Sequence, residues 1–246
     1  MIEAGANDQD WYSETDSVHI PQNVFIFDDE ETLVLDTFSP ASTEKVLRDI
    51  ETVLDGRSLD YLVVSHPDVP HAGNTMAILE KYPEAELVAP AYGKGHELYH
   101  LEDARRVAEG DTIDLGEHTV EFHEATFLDA AVSLWMSDQL TDTLFPIDWL
   151  GFPHLGSEEL AFVDELETEI TPDRLEEFHG RVFFWFQYVD VEKINREIEH
   201  LIQKFQPEIL APAHGLVIRE EPERYMKMVQ PVIESINADG RVGTLG

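Results

Sequence analysis

The chain contains no cysteine and few basic residues among its 246 residues. Without cysteine there is no disulfide bond, no thiolate nucleophile and no cysteine-ligated iron–sulfur cluster. Only 16 lysine and arginine residues stand against 51 aspartate and glutamate residues, which gives a formal charge of −35. Because no basic stripe is available to neutralise phosphates, we expect no nucleic acid as a partner or substrate.

Long apolar runs are also missing from the sequence. No stretch approaches the roughly 18 apolar residues that a membrane-spanning helix requires, so we expect no membrane partner. The first residues are acidic and lack the basic start and apolar core of a secretion signal. Together with the lack of cysteine, these features predict a cytoplasmic protein.

The acidic residues are scattered through the apparent helices and turns. This distribution argues against an acidic interaction tail, in which the charges would form one block. Self-repulsion on this scale is tolerable where salt screens it, over roughly 3 Å at molar ionic strength. The composition therefore predicts a protein from the salt-loaded cytoplasm of a halophile.

Length and hydrophobic content predict the general class of the fold. A chain of 246 residues with 43% hydrophobic residues can bury the core of one large α/β domain, and it shows no linker or repeat. We therefore predict a single domain over residues 1–246. We predict strands at 23–27, 32–37, 61–65 and 86–89 and a helix at 75–81. Apolar residues at helical spacing predict two further helices, at 42–54, with Ser42 as its N-cap, and at 191–205.

The segment 61–74 is the most informative part of the sequence. An apolar run ends there in histidine and aspartate, and a loop that leaves a buried strand can direct several donors at one point. His66, Asp68 and His71 offer nitrogen and oxygen ligands of the kind that suit zinc or non-haem iron. A rigid loop turned by Pro67 and Pro70, with no metal, is the alternative interpretation of this segment.

Two later segments also end in candidate ligands. Asp148 closes an apolar run, where an unpaired buried carboxylate would be costly, so a partner cation is the better interpretation. His214 follows a predicted strand in the sequence Ala-Pro-Ala-His-Gly. The histidines at 96, 100, 154, 179 and 200 are predicted to be surface or core residues without a metal.

Residues 66–74 resemble the signature loop of the metallo-β-lactamase fold, His-x-(His/Glu)-x-Asp-His, and more closely its flavodiiron version, His-x-Glu-x-Asp-His-x-Gly. The resemblance continues in the two opening strands, in Gly-Asp-Thr-Ile-Asp-Leu-Gly at 110–116, in Leu-Phe-Pro-Ile-Asp at 144–148 and in Leu-Ala-Pro-Ala-His-Gly at 210–215. It implies an α/β fold, the four-layer αββα metallo-β-lactamase sandwich, with the site at the loop edge between its sheets.

The resemblance further implies two metal ions bridged by Asp148. The remaining ligands would be His66, Asp68 and Asp129 for the first ion, and His71 and His214 for the second. This carboxylate-rich set favours iron, with manganese and zinc as the alternatives.

Two positions depart from the flavodiiron pattern. Pro70 stands where the family has an aspartate ligand, and proline offers neither a side-chain donor atom nor a backbone N–H. Asp129 stands where the family has a histidine. His123 is the nearby substitute, but it is predicted to lie within the preceding strand.

The resemblance implies a diiron protein that binds or reduces O2 or NO. Flavodiiron proteins carry an FMN-binding domain after this one; this chain ends at Gly246, so we expect no FMN domain in it and electrons from a separate flavoprotein. A homodimer is expected. The alternatives are a diiron oxygen sensor that signals to a partner, a metal-dependent hydrolase, which Pro70 weakens, and a scaffold with a degenerate site.

Overall fold

A computed structural model describes residues 2–3, 19–91, 103–129, 132–156 and 160–239. Contacts within the chain define two compact units. The first unit comprises Met1–Ile2 and Gln22–Leu140, and the second comprises Glu3–Pro21 and Thr141–Gly246. The single domain predicted over residues 1–246 stays a prediction.

The strands of the first unit form a mixed sheet of five strands and an antiparallel group of three. The mixed sheet has the order β3-β4-β5-β6-β7. β3 is antiparallel to β4, and β4 to β7 run parallel. β9 pairs with both β8 and β10 in the antiparallel group. The bounds are Phe25–Asp28 (β3), Thr32–Leu35 (β4), Tyr61–Val63 (β5), Glu86–Pro90 (β6), Arg105–Val107 (β7), Thr112–Asp114 (β8), Thr119–Glu124 (β9) and Leu134–Asp138 (β10). Two short strands, Ile2–Glu3 (β1) and Pro21–Gln22 (β2), precede them.

Three helices of the first unit follow strands of the mixed sheet. They are Thr43–Leu54 (α1), Val69–Ala72 (α2) and Thr75–Lys81 (α3), and Pro40–Ser42 forms a 3-10 turn before α1. Ser42 occupies the N-cap position of α1, as predicted, but its side chain makes no capping hydrogen bond. The apolar face of α1 buries Val46, Ile50 and Leu54 in a core that also contains Val34 of β4 and Leu62 of β5. The predicted helices at 42–54 and 75–81 are thus confirmed.

The described part of the second unit contains more helix than strand. It contains Thr143–Phe145 (β11) and Ile209–Leu210 (β12), which pair in parallel, and the helices Pro172–Val182 (α4), Val191–Phe205 (α5) and Pro222–Asp239 (α6). 3-10 segments lie at Val163–Glu165 and Phe184–Tyr188. α6 packs against α4 and α5 and buries Met226, Val229 and Ile233. In the part of the chain that the structure describes, none of the helices is both long and apolar enough to cross a membrane.

Candidate metal centre

The first group of predicted ligands consists of His66, Asp68 and His71 and lies where strands β4 and β5 end. These strands are adjacent and parallel, so the residues that follow them emerge at the same edge of the sheet. The backbone N–H of Asp36, directly after β4, donates to the carbonyl of Val63 at 2.8 Å. Asp36 is thereby placed beside Ser65 and His66, which follow β5.

Asp36 orients one of the predicted ligands. Its side chain is 2% exposed; Oδ2 lies 2.7 Å from Nδ1 of His71, and Oδ1 accepts from the backbone N–H of Ser65 at 2.9 Å. Because a carboxylate only accepts hydrogen bonds, Nδ1 of His71 carries the proton and Nε2 keeps its lone pair. Such a carboxylate partner is typical of metal-binding histidines. The sequence placed Asp36 in the second opening strand of the resemblance, as the early aspartate of the fold, but did not indicate that it pairs with His71.

Pro70 shapes the loop that carries these ligands. It lies in the first turn of α2, where a missing backbone N–H costs no helical hydrogen bond. The backbone N–H groups of His71 and Ala72 donate to the carbonyl of Asp68 at 2.9 and 2.8 Å. The buried rings of His66 and His71 have centroids 3.9 Å apart.

The segment after β4 also holds the end of this loop. Nδ2 of Asn74 donates to the carbonyl groups of Thr37 and Phe38 at 2.8 and 3.0 Å. A Cβ atom at Gly73 would lie 2.6 Å from Cδ of Pro40 and 2.9 Å from the carbonyl oxygen of Phe38, so only glycine fits this close approach. Gly73 and Asn74, which belong to the segment that resembles the flavodiiron loop, therefore fix the backbone around the predicted ligands.

His66, Asp68 and Asp129 come together within the first unit. One ligand atom from each side chain lies within 4.8 Å of the others. Nε2 of His66 is 3.8 Å from Oδ1 of Asp129, which lies in the loop between β9 and β10. His66 is fully buried, whereas Asp68 is exposed. One imidazole and two carboxylates form a hard donor set that fits iron or manganese.

Asp148 and His214 form the second group, within the second unit. Both side chains are buried, and Nε2 of His214 is 3.2 Å from Oδ1 of Asp148. Nδ1 of His214 donates to the carbonyl of Pro21 at 3.0 Å, because a carbonyl only accepts. The imidazole nitrogen and the carboxylate oxygen are both electron donors, so a cation or proton between them stabilises their approach. The pair fits a metal ion.

The other histidines differ in burial where the structure describes them. His123 lies in β9, is 3% exposed, and its Nε2 is 2.8 Å from Oγ of Ser137. His154 and His179 are buried and His200 is exposed, whereas His96 and His100 lie outside the described residues.

Two sheet-containing units with histidine and aspartate at strand ends are typical of the metallo-β-lactamase fold. The family described as "ODP family beta lactamase" matches residues 20–215. The chain belongs to this family.

Two curated proteins of similar sequence support the assignment to this family. The chain is similar to a nitric oxide reductase of Moorella thermoacetica, at 26% identity over 211 residues, covering 83% of this chain and 51% of that protein. It is also similar to a rubredoxin-oxygen oxidoreductase of Megalodesulfovibrio gigas, at 27% identity over 205 residues, covering 80% and 49%. The chain therefore spans about half the length of these curated relatives.

A solved structure confirms the predicted fold class. The flavodiiron protein from Giardia intestinalis superposes with a TM-score of 0.73 at 19% sequence identity, covering 86% of this chain and 51% of that one. The fold is the metallo-β-lactamase fold predicted from the signature loop.

Proposed function

We propose that this chain is a diiron protein that binds or reduces O2 or NO. The observation that carries the proposal is the convergence of His66, Asp68 and Asp129, with one ligand atom of each within 4.8 Å of the others. His66 and Asp68 belong to the loop that Asp36 holds through Ser65 and His71. The proposed ligands are those that the resemblance assigns: His66, Asp68, His71, Asp129, Asp148 and His214. The named activities of the nitric oxide reductase and rubredoxin-oxygen oxidoreductase relatives support this chemistry.

The donor chemistry of the chain favours redox-active iron as the bound metal. When bound, a pair of irons supplies paired electrons to a diatomic molecule, which redox-inert zinc cannot do. The protein orients the proposed ligands and shields them from water. Asp36 keeps Nδ1 of His71 protonated, the carbonyl of Pro21 does the same for His214, and His66, His71 and Asp148 are buried.

The proposal includes an electron donor and a cellular setting. Electrons would come from a separate redox protein such as a flavoprotein, and the name of the Megalodesulfovibrio gigas relative points to rubredoxin as a second class of donor. The charge of −35 supports a halophilic cytoplasm. We also propose that the chain forms a homodimer and has no nucleic acid or membrane partner.

Elemental analysis of the chain tests the proposal, on protein purified in molar salt without chelator. We expect about two irons per chain and a visible spectrum that changes on exposure to O2. Asp148→Ala should lower iron affinity by more than about 100-fold, beyond the usual cost of losing an outer partner of a ligand. Asp129→Ala should lower the occupancy of one ion at most. His200→Ala, at an exposed position in α5, is the matched control and should keep both ions.

Three results would contradict parts of the proposal. Zinc in place of iron would move the assignment to hydrolysis. A folded chain that takes up no metal would indicate a degenerate site. Full iron content in Asp148→Ala would remove the bridging role of Asp148 while leaving the other ligands in place.

A further inference from the structure

The turn at residues 147–150, which presents Asp148, has an unfavourable backbone. Ile147 has φ of 56° and Leu150 has φ of 67°, both in the left-handed region. Residues other than glycine are disfavoured there, and β-branched isoleucine is among the least suited. The surrounding structure must therefore hold this turn in place.

Two hydrogen bonds from other parts of the second unit reach these two residues. The backbone N–H of Ala213 donates to the carbonyl of Ile147 at 2.7 Å. The backbone N–H of Leu150 donates to Nε2 of His179 at 3.3 Å. His179 thus provides a side-chain contact from α4 to the strained end of the turn.

The surroundings of His179 fix it as a hydrogen-bond acceptor. The side chain is fully buried, and Nδ1 donates to the carbonyl of Leu175 one helical turn earlier at 2.8 Å, which leaves the lone pair on Nε2. Its ring stacks on Phe183 and Phe186, with centroids 5.3 and 6.4 Å away. Burial lowers the pKa of His179 to about 4, so Nε2 is unprotonated at neutral pH.

Helix α4 also fits closely against the turn. A Cβ atom at Gly151 would overlap the ring of Phe178, the neighbour of His179 in α4. The position of α4 is thus coupled to the backbone directly after the turn. A histidine that served only to fill the core would not need its acceptor atom directed at the backbone of a strained turn.

We propose that His179 is a positioning residue that holds the 147–150 turn in the conformation that presents Asp148 to metal. The inference rests on the proposed function, because it assigns His179 a role in metal binding through Asp148. His179 itself is not a ligand in this proposal. Its contribution is the hydrogen bond to the Leu150 N–H, two residues beyond Asp148.

Two substitutions separate the acceptor from the bulk of the ring. His179→Phe keeps an aromatic ring against Phe183 and Phe186 but has no acceptor, and His179→Gln keeps an acceptor at a similar reach but has no ring. Leu201→Ala is the matched control, since this residue is buried in α5, a different helix from the one that carries His179. The three variants distinguish positioning from general stability.

The first readout is the affinity of each variant for Co²⁺, followed by its visible absorption. We expect His179→Phe to bind Co²⁺ about 10–100-fold more weakly than the wild type, the usual effect of losing an outer partner of a metal site. His179→Gln should recover most of the affinity. Leu201→Ala should lower the unfolding midpoint and leave Co²⁺ affinity unchanged.

The second readout is hydrogen exchange of the amides at 147–152, which does not depend on metal. Exchange at Leu150 should become faster in His179→Phe and return towards the wild-type rate in His179→Gln. Wild-type Co²⁺ affinity and wild-type exchange in His179→Phe would overturn the inference. If the wild type takes up no Co²⁺, the proposed function fails, and unchanged exchange in His179→Phe would then overturn the positioning role separately.

Discussion

The two groups of candidate ligands are held by different means. In the first unit, His71 is oriented by the carboxylate of Asp36, and Asn74 fastens the loop to the segment after β4. In the second unit, Asp148 sits on a strained turn that backbone contacts and the buried His179 hold in place. Side-chain hydrogen bonds can be removed without altering a strand, whereas a strained turn depends on the packing around it. The two groups should therefore respond to different perturbations.

Acid should destabilise the second group of ligands, Asp148 and His214, more than the first. The pKa of His179 is lowered to about 4 by burial, so between pH 6.5 and 4 the unfolded chain binds a proton that the folded chain does not. The contribution of His179 to stability is present above pH 6.5 and is lost as the pH falls towards 4, by about 3 kcal/mol. Urea unfolding of the wild type and of His179→Phe, at several pH values in constant salt, measures this loss.

The difference between the two proteins isolates His179 from the other titrating groups. Acid also neutralises carboxylates and reduces the self-repulsion of a chain with a charge of −35, and both proteins share these effects. The stability difference between the wild type and His179→Phe should shrink or change sign as the pH falls through this window. Parallel stability curves would show that His179 is not buried as a neutral group.

Removing the negative charge of Asp36 should weaken metal binding by the first group of ligands. Asp36→Asn keeps the size of the side chain and tolerates the positive φ of 64° at this position, but it loses the carboxylate partner of His71. Affinity for Fe²⁺, measured by competition with a chromophoric chelator, should fall about 10–100-fold.

Asp138→Asn is the matched control for this charge. Asp138 is also a buried aspartate of the first unit, and its carboxylate lies 3.0 Å from Nδ1 of His118, which is not a proposed ligand. It should leave Fe²⁺ affinity unchanged. Equal losses in the two variants would mean that the effect of Asp36→Asn is one of general stability.

The sequence predicted the fold better than it predicted the residues that support the candidate ligands. Helical spacing predicted α1 and α5 at nearly their observed bounds, because periodic burial is a local signal. The aromatic residues of the segment 182–188 divide between core and surface: Phe183 and Phe186 are buried, while Tyr188 is exposed.

The supports escaped prediction for a physical reason. The pairing of Asp36 with His71 joins residues 35 apart, and it exists only because β4 and β5 are parallel neighbours. Positive φ values at Ile147 and Leu150 contradict the local preference of both residue types. His179 was expected to be a surface or core residue, and nothing in the sequence indicated which backbone group it would accept from.

Pro70 offers the smallest change and the sharpest test of the first group. Its place in the first turn of α2 also suits aspartate, since the start of a helix favours a negative charge. Pro70→Asp restores the carboxylate of the flavodiiron pattern, and iron affinity should rise on the order of tenfold. Folding stability should fall by about 0.4–1 kcal/mol, because the unfolded chain gains freedom when proline is removed.

Pro70→Asn is the control, because it matches aspartate in shape and backbone freedom without its charge. A gain confined to Pro70→Asp would show that the loop still presents position 70 to a metal, whereas equal gains in both variants would assign the effect to loop freedom. No gain in either would mean that α2 directs position 70 away from the metal, so that the first group works without this ligand.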